Sequence, residues 1–210
     1  RGHLDVVKIF MEKATTLSIN LNRTGKYGFT AFHLACQRGH TNVVKLLMEN
    51  AVAFNINLNR KENHGATAFH LACQRSHTNV VKLFMENAEA LRINLDKKCI
   101  NGGKAFHLAC RKGRSDVVKI FMENAATLSI DLNSENNQSE TAFHLACQRG
   151  HLDVVKIFME NAATLNIDLN CQDKKGETAF HLACQRGYPY MVKLFLENAS
   201  ALRIDLNRKD

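Results

Sequence analysis

A histidine and a cysteine recur three residues apart at five places in the 210-residue sequence. The pairs are His33 with Cys36, His70 with Cys73, His107 with Cys110, His144 with Cys147, and His181 with Cys184. Such a pair can begin a zinc site or form a Cys–His nucleophile. A catalytic pair needs one privileged copy and a third group that orients it, whereas five equivalent copies favour a structural role. We therefore predict no catalytic residue, no metal, no cofactor and no enzymatic activity.

The sequence contains no glycine-rich phosphate loop and no Gly-x-Ser-x-Gly motif. Its one double glycine, Gly102-Gly103, is followed by Lys104 where the other copies have threonine. Because threonine is a good helix N-cap and lysine is not, we interpret this segment as a local loss of a cap.

The spacing of the cysteines argues against disulfides. Equivalent positions on stacked helices lie roughly 8–10 Å apart, and a disulfide needs Cα atoms within about 7 Å. We therefore expect the five paired cysteines to be small buried apolar groups. Cys99 and Cys171 lie outside this series, and we expect them to be exposed or half-exposed loop residues. Free thiols of this kind predict an intracellular, cytoplasmic protein.

The histidine–cysteine pairs belong to a repeat of 37 residues. The string Ala-Phe-His-Leu-Ala-Cys begins at positions 31, 68, 105, 142 and 179, and Val-Val-Lys begins at 6, 43, 80, 117 and 154, with Met191-Val192-Lys193 as a sixth copy. We therefore predict one array over residues 1–210. It consists of a half repeat, 1–22, and five full repeats, 23–59, 60–96, 97–133, 134–170 and 171–207.

Each repeat is predicted to form two helices, as its fourth copy illustrates. Thr141 should cap a short helix from Ala142 to about Arg149, which Gly150 ends. A second helix should run from about Leu152 through Leu165. The expected buried stripes are Phe143, Ala146 and Cys147 on the first helix and Val154, Val155, Phe158, Ala162 and Leu165 on the second. Pro189, the only proline, falls in the first turn of the last second helix.

The string Thr-Ala-Phe-His-Leu-Ala, followed by Gly-His and Val-Val-Lys, resembles the ankyrin repeat, whose usual form is Thr-Pro-Leu-His-x-Ala. The resemblance implies an all-α solenoid of stacked helix-turn-helix repeats with projecting loops. It also implies that the histidines bond backbone groups and tie adjacent loops together. The family's repeat commonly has 33 residues. We place the four extra residues within 161–165, and four residues are about one helical turn. We therefore predict a second helix longer by one turn.

The net charge of +8 is compatible with a nucleic acid, an acidic protein or an anionic membrane surface as partner. No basic run, zinc-finger spacing or aromatic–basic RNA motif is present, so nucleic acid is not favoured. No run of 18 apolar residues is present either, so we predict no membrane insertion.

In proteins of the resembled family, the loop tips and the exposed face of the first helix line a concave surface that contacts protein partners. Carried over by position, the partner-binding candidates are Lys26, Tyr27, Phe29, Arg38, Lys61, His64, Arg75, Lys98, Ile100, Arg111, Lys112, Glu135, Asn137, Arg149, Gln172, Lys174 and Arg186. Tyr27 and Phe29 are the hot-spot candidates, although Phe29 could instead fold under its own loop.

The loops before the first helices differ in charge. The first three are basic or aromatic and the fourth is acidic to polar, so we expect a protein partner with an acidic or polar patch. Two alternatives remain open at this point. The chain could be a structural spacer within a longer array, or an engineered or consensus repeat binder.

Overall fold

The computed structural model describes residues 2–14 and 16–208, over which the chain forms eleven helices. Positions 1 and 15 of the predicted half repeat, and 209 and 210 of the predicted array, lie outside the described residues. The helices are α1 Leu4–Ala14, α2 Ala31–Gln37, α3 Thr41–Glu49, α4 Ala68–Gln74, α5 Thr78–Glu86, α6 Ala105–Arg111, α7 Ser115–Asn124, α8 Ala142–Gln148, α9 Leu152–Asn161, α10 Ala179–Gln185 and α11 Pro189–Leu202.

The chain divides into two compact units, Arg1–Ile100 (unit 1) and Asn101–Asp210 (unit 2). Within each unit, first helices pack on first helices and second helices pack on second helices of the neighbouring repeat. The described residues form no strand beyond three isolated bridges. The predicted all-α fold of stacked helix pairs is therefore confirmed. None of the described helices combines the length and apolar composition needed to cross a membrane.

The first helices begin at the predicted caps. Thr141 has an extended backbone and its hydroxyl accepts from the His144 amide at 3.4 Å, while the Thr141 amide donates to His144 Nδ1 at 3.1 Å. This reciprocal arrangement is a capping box with histidine in the place of the usual glutamate. At the other end Gly150 adopts a φ of 75°, a left-handed conformation that glycine reaches without strain. The helix therefore ends where the sequence predicted.

Phenylalanines join one repeat to the next. In unit 1 the Phe84 ring of α5 contacts Phe32 at 5.7 Å and Phe69 at 5.1 Å between centroids. Phe32 and Phe69 are equivalent positions on first helices of neighbouring repeats, so the Phe84 ring packs against the first helix of its own repeat and that of the preceding repeat. Unit 2 repeats the arrangement, with Phe158 contacting Phe106 at 5.6 Å and Phe143 at 5.2 Å. Each repeat therefore buries its stripe against a neighbour, as a linear array requires.

The predicted stripes are buried with one partial exception. Phe143 is 1% exposed, and Ala146, Cys147, Val154, Val155, Phe158 and Ala162 are buried. Leu165 is only half-buried. Pro189 is the first residue of α11, as predicted.

The predicted end of the second helix at Leu165 is wrong for regular helix, because α9 ends at Asn161. Residues 162–166 instead form a turn, in which the Leu165 amide still donates to the Asn161 carbonyl at 3.0 Å. The turn closes at Asn166, with a φ of 50°, and the Ile167 amide donates to the Ala162 carbonyl at 2.9 Å. These bonds are typical of a Schellman ending. Within residues 2–14 and 16–208, only α11 continues as regular helix through the extra residues.

Cys184 departs from the prediction that the paired cysteines are buried. Cys36, Cys73, Cys110 and Cys147 are buried, whereas Cys184 is exposed. It lies on α10, which packs against α8 and α11 and has no further first helix beside it among the described residues. Burial at this position depends on the following repeat, so the sequence of one repeat does not determine it.

Asparagine side chains add a second connection between repeats. In unit 1 the Asn59 side chain donates to the Arg92 carbonyl at 2.8 Å and accepts from the Asn94 amide at 2.7 Å. Asn22, Asn133 and Asn170 make the same two bonds to the groups 33 and 35 residues further on. Each such side chain satisfies one donor and one acceptor where the next repeat leaves its second helix.

Candidate partner-binding surface

The loops before the first helices project as five fingers: finger 1 is residues 23–30, and fingers 2 to 5 are 60–67, 97–104, 134–141 and 171–178. In fingers 2, 4 and 5 an isolated antiparallel bridge closes the base, between Lys61 and Thr67, Glu135 and Thr141, and Gln172 and Thr178. A short loop tied at its base holds its tip in one place.

A polar side chain inside the loop fixes the shape of fingers 2, 4 and 5. The buried Glu62 carboxylate accepts from the His64 amide at 3.0 Å and the Ala66 amide at 2.9 Å. Burial alone would raise the pKa of Glu62, but these amides and the His64 ring, 3.1 Å away, lower it. Asn136 and Asp173 hold the equivalent positions in fingers 4 and 5 and accept from two amides in the same way.

Fingers 1 and 3 have no carboxylate or amide side chain at this position, where Gly25 and Cys99 stand instead. In finger 1 the backbone makes the closure, since the Gly25 amide donates to the Phe29 carbonyl at 2.9 Å. Finger 1 is therefore held by fewer bonds than finger 2. This difference was not predicted from the sequence, although it could have been. A comparison of the equivalent positions shows which fingers have a carboxylate or amide side chain there: these positions are 25, 62, 99, 136 and 173.

Neighbouring fingers touch through their backbones. In unit 1 the Asn63 amide donates to the Tyr27 carbonyl, and the Ile100 amide donates to the His64 carbonyl, both at 3.2 Å. In unit 2 the Asn137 amide donates to the Asn101 carbonyl at 3.1 Å, and the Lys174 amide donates to the Gln138 carbonyl at 3.0 Å. Tip side chains of adjacent repeats are thereby brought side by side within each unit.

The structure places most of the sequence-predicted site residues at the surface. Fifteen of the seventeen are exposed: Lys26, Tyr27, Arg38, Lys61, His64, Arg75, Lys98, Ile100, Arg111, Lys112, Glu135, Asn137, Arg149, Lys174 and Arg186. Phe29 and Gln172 are half-buried. The Gln172 side chain donates to the Gly176 carbonyl at 2.7 Å within its own finger. The Gln172 side chain therefore helps to hold the shape of finger 5.

The two aromatic candidates of finger 1 differ. Tyr27 is 58% exposed, and the Lys26 ammonium lies 5.6 Å from its ring centroid. Phe29 is half-buried with its ring edge-on to His33, 5.9 Å between centroids. Phe29 therefore packs on its own repeat, which was the alternative left open by the sequence, and Tyr27 is the aromatic side chain presented to solvent.

Charge is distributed unevenly over these fingers and first helices. Residues 23–39 and 60–76 of unit 1 contain six basic residues and one acidic residue, the buried Glu62. Residues 134–150 and 171–187 of unit 2 contain four basic and four acidic residues. The surface of the first two repeats is thus strongly basic, and that of the last two is nearly balanced.

In two of the histidine–cysteine pairs, both ring nitrogens of the histidine take part in hydrogen bonds. His144 Nδ1 accepts from the Thr141 amide, and Nε2 donates to the Glu177 carbonyl at 3.2 Å, so both ring nitrogens are engaged. His33 does the same, with Nε2 donating to the Arg60 carbonyl at 3.0 Å. Burial lowers the pKa of both histidines. For His33 and His144, these bonds confirm the expectation that the histidines tie adjacent loops together.

Burial makes several of the thiols poor nucleophiles. Burial raises the pKa of Cys36, Cys73 and Cys147 well above the usual value, so their thiolates do not form near neutral pH. Burial and the Asp168 carboxylate raise the pKa of Cys171 to about 12. Across the described part of the chain, no group of three His, Cys, Asp or Glu residues is arranged to hold a metal ion.

The family model for ankyrin repeats matches the chain in three copies, over residues 1–62, 53–135 and 127–210. The chain is an ankyrin-repeat protein. Curated proteins yield no significant match to it. Ankyrin repeats are in general non-enzymatic modules for protein interaction. The capped first helices, the histidine bonds between loops and the projecting fingers are thus the parts of an interaction scaffold built from ankyrin repeats.

Proposed function

We propose that the chain is a protein-interaction module that binds another protein through its fingers and the exposed ends of its first helices. The observation that carries this proposal is the contrast between fixed and varied positions along the repeat. The residues that pack between repeats are nearly the same in every copy, whereas the exposed finger tips are Tyr27, His64, Asn101, Gln138 and Lys175 at one and the same position. Variation concentrated at bonded, projecting tips is typical of a recognition surface.

The charge of the first two repeats and the exposure of Tyr27 indicate what kind of partner would bind. The basic surface of the first two repeats supports a protein with an acidic or polar patch, because complementary charges steer association and like charges oppose it. Tyr27 supports an apolar contact within that patch, since exposed aromatic rings are common anchors of interfaces. The proposal needs neither metal nor cofactor.

Site-directed photocrosslinking tests this surface. A photoreactive amino acid placed at Tyr27 or Arg75 on the fingers and first helices should crosslink to the partner. The matched positions Lys119 and Lys156 are exposed on second helices, and the same amino acid there should not crosslink. Crosslinks confined to Lys119 and Lys156 would place the interface on the second helices and refute the proposal.

A further inference from the structure

The tip of finger 3 is the only place in the sequence where an asparagine precedes a glycine, at Asn101-Gly102. The Asn101 side chain is exposed. The corresponding pairs of the other fingers are Tyr27-Gly28, His64-Gly65, Gln138-Ser139 and Lys175-Gly176. Finger 3 therefore places a short side-chain amide directly before a residue that has no side chain, and the other fingers do not.

This pair of residues can react without any further group. The side-chain carbonyl carbon Cγ of Asn101 is separated from the Gly102 amide nitrogen by three atoms, so attack of the nitrogen on this carbon closes a five-membered ring. A side chain on the second residue would crowd that approach, and glycine has none. In finger 4 the side chain of Gln138 is one methylene longer and Ser139 follows it, so the equivalent ring would be larger and its closure more hindered.

The neighbouring finger requires the glycine. Gly102 is buried and its φ is 74°, a left-handed conformation that disfavours residues with a Cβ. A Cβ at Gly102 would moreover lie 2.7 Å from the backbone nitrogen of Asn137 in finger 4. Finger 4 is also tied to this tip, since the Asn137 amide donates to the Asn101 carbonyl at 3.1 Å. The packing of the two fingers therefore keeps beside Asn101 the residue type that leaves this reaction unhindered.

The Asn101 side chain is not held by hydrogen bonds. Many asparagines of the chain use their side-chain amide inside the fold, as Asn124 does when it donates to the Ile120 carbonyl at 2.8 Å. The Asn101 side chain has no such partner among the described residues. It can therefore rotate to bring Cγ towards the Gly102 nitrogen without breaking a bond.

The Gly102 nitrogen is not engaged either. In the other fingers the amide at this position donates to the carbonyl three residues before it: Gly28 at 3.0 Å, Gly65 at 2.9 Å, Ser139 at 3.1 Å and Gly176 at 3.0 Å. Across residues 2–14 and 16–208, no carbonyl accepts a hydrogen bond from the Gly102 amide. Both reacting atoms of finger 3 are thus available, whereas the backbone nitrogen of the other tips is held in the turn.

We propose that Asn101 is a site of spontaneous deamidation in the folded protein. The Gly102 nitrogen gives up its proton and bonds to Cγ of Asn101, the bond from Cγ to Nδ2 breaks, and Nδ2 leaves as ammonia. One water molecule then hydrolyses one of the two C–N bonds of the cyclic imide. Hydrolysis at the former main-chain carbonyl yields isoaspartate, in which the chain continues through the side chain, and hydrolysis at Cγ yields aspartate. Water is the only co-reactant.

Either product changes the surface that the fingers present. It adds a carboxylate at a tip position where the other fingers have Tyr27, His64, Gln138 and Lys175. An acidic partner would be repelled at this point, because like charges placed face to face oppose association. Isoaspartate also lengthens the main chain by one atom beside the bond from finger 4. This consequence for binding rests on the proposed function, whereas the reaction itself requires only the atoms of finger 3.

Peptide mapping of the full chain tests the proposal. The folded protein is incubated at slightly alkaline pH in heavy-oxygen water and then digested in ordinary water with trypsin, which releases residues 99–104. This segment should gain the mass of an acid in place of an amide, with one oxygen from the heavy water, and should separate into aspartate and isoaspartate forms. Asn101 should react at least about ten-fold faster than Asn63 and Asn137, exposed asparagines that precede larger residues.

A synthetic peptide with the sequence of residues 99–104 is the matched control without a fold. The folded chain should deamidate within about ten-fold of the rate of the peptide, since the fold adds little to the barrier. A slower rate than that would show that the fold protects Asn101 and would overturn the proposal, and so would equal rates at Asn101, Asn63 and Asn137.

Two variants identify the reacting residue and its product. Asn101→Gln should abolish the conversion, and continued gain of acid in residues 99–104 of this variant would contradict the assignment. Asn101→Asp supplies the aspartate product directly and should elute with it on ion exchange. Failure of the reaction would leave the proposed function standing, because the crosslinking test does not involve Asn101.

Discussion

The first helices and the fingers lie next to each other along every repeat, yet they differ in how much they vary. Phe69, Phe106 and Phe143 occupy one position of the first helix, and each is 1% exposed. The finger tips a few residues before them are His64, Asn101 and Gln138. A side chain packed between two repeats is constrained by both neighbours, whereas a tip faces solvent on most sides. The comparison separates residues that hold the array from residues that are free to recognise a partner.

The largest effect should come from the packed side. Phe143→Ala should lower the free energy of unfolding by about 3–5 kcal/mol, because the ring is buried and contacts Phe158 and Phe195. Its tip counterpart, Gln138→Ala, should change stability by less than about 0.5 kcal/mol. Urea unfolding of the two variants measures both values. Similar decreases in the free energy of unfolding for the two variants would contradict the distinction between packed and tip positions.

The next largest effect should be a loss of stability on acidification, through the buried histidines. Burial lowers the pKa of His33 and His144 below the usual 6.5, so the unfolded chain binds protons that the folded chain does not. Stability is then fully present above pH 6.5 and falls as the pH drops from there towards the folded-state pKa. The loss is at most about 1.4 kcal/mol per pH unit for each histidine.

Urea midpoints measured on either side of pH 6.5 test this expectation. The variant His144→Gln removes one of the two groups and should flatten the pH dependence while lowering stability at neutral pH. A midpoint that did not change on acidification through this window would show that the histidines are not held neutral by the fold.

A smaller effect should come from the hydroxyl cap that repeat 3 lacks. Lys104 is the N-cap of α6, and an ammonium cannot accept a hydrogen bond from the His107 amide. Lys104→Thr should raise the free energy of unfolding by about 1 kcal/mol, the usual contribution of a hydroxyl cap. The reverse change in repeat 4, Thr141→Lys, should lower it by a similar amount. Thermal melts compare the pair, and a stabilising Thr141→Lys would contradict the role of the cap.

The smallest effect on folding, and the largest on binding, should come from the exposed helix ends. Charge reversal of Arg38 and Arg75 to glutamate should cost less than about 1 kcal/mol of stability, because both side chains are exposed. It should slow association with the partner and weaken the salt dependence of the rate. Lys119→Glu and Lys156→Glu on second helices are the controls in stopped-flow measurements. Equal slowing in the controls would point to a general charge effect.

Local chemistry made several helix ends predictable. Thr141, Gly150 and Pro189 act through their own backbone and side chain, so their roles follow from sequence alone. The end of α9 was predicted too far along the chain. The residue types at 162–166 are compatible both with a further helical turn and with a Schellman ending, and the two differ in their hydrogen bonds. The burial of Cys184 was predicted wrongly because burial at this position depends on the helix that packs beside α10, and the sequence of one repeat does not specify that neighbour.

The candidate surface was predictable in position but less so in chemistry. The repeat register was enough to locate Tyr27 and Arg75 at the surface. The bonds of Glu62 within its finger, and the contact between Glu140 and Gln148, join residues whose proximity only the folded loop creates. Phe29 shows the same limit, since its contact with the His33 ring depends on the path of finger 1.

The asparagine bonds between repeats have a genetic consequence. Asn22 and Asn59 bind groups at the same distance along the chain, so the two are interchangeable. Loss of residues 23–59 would leave Asn22 facing the Arg92 carbonyl and the Asn94 amide, the groups that Asn59 binds now. Unequal recombination in steps of 37 residues would thus restore these bonds, while any other step would break them. The array can lengthen or shorten during evolution without passing through a mismatched intermediate.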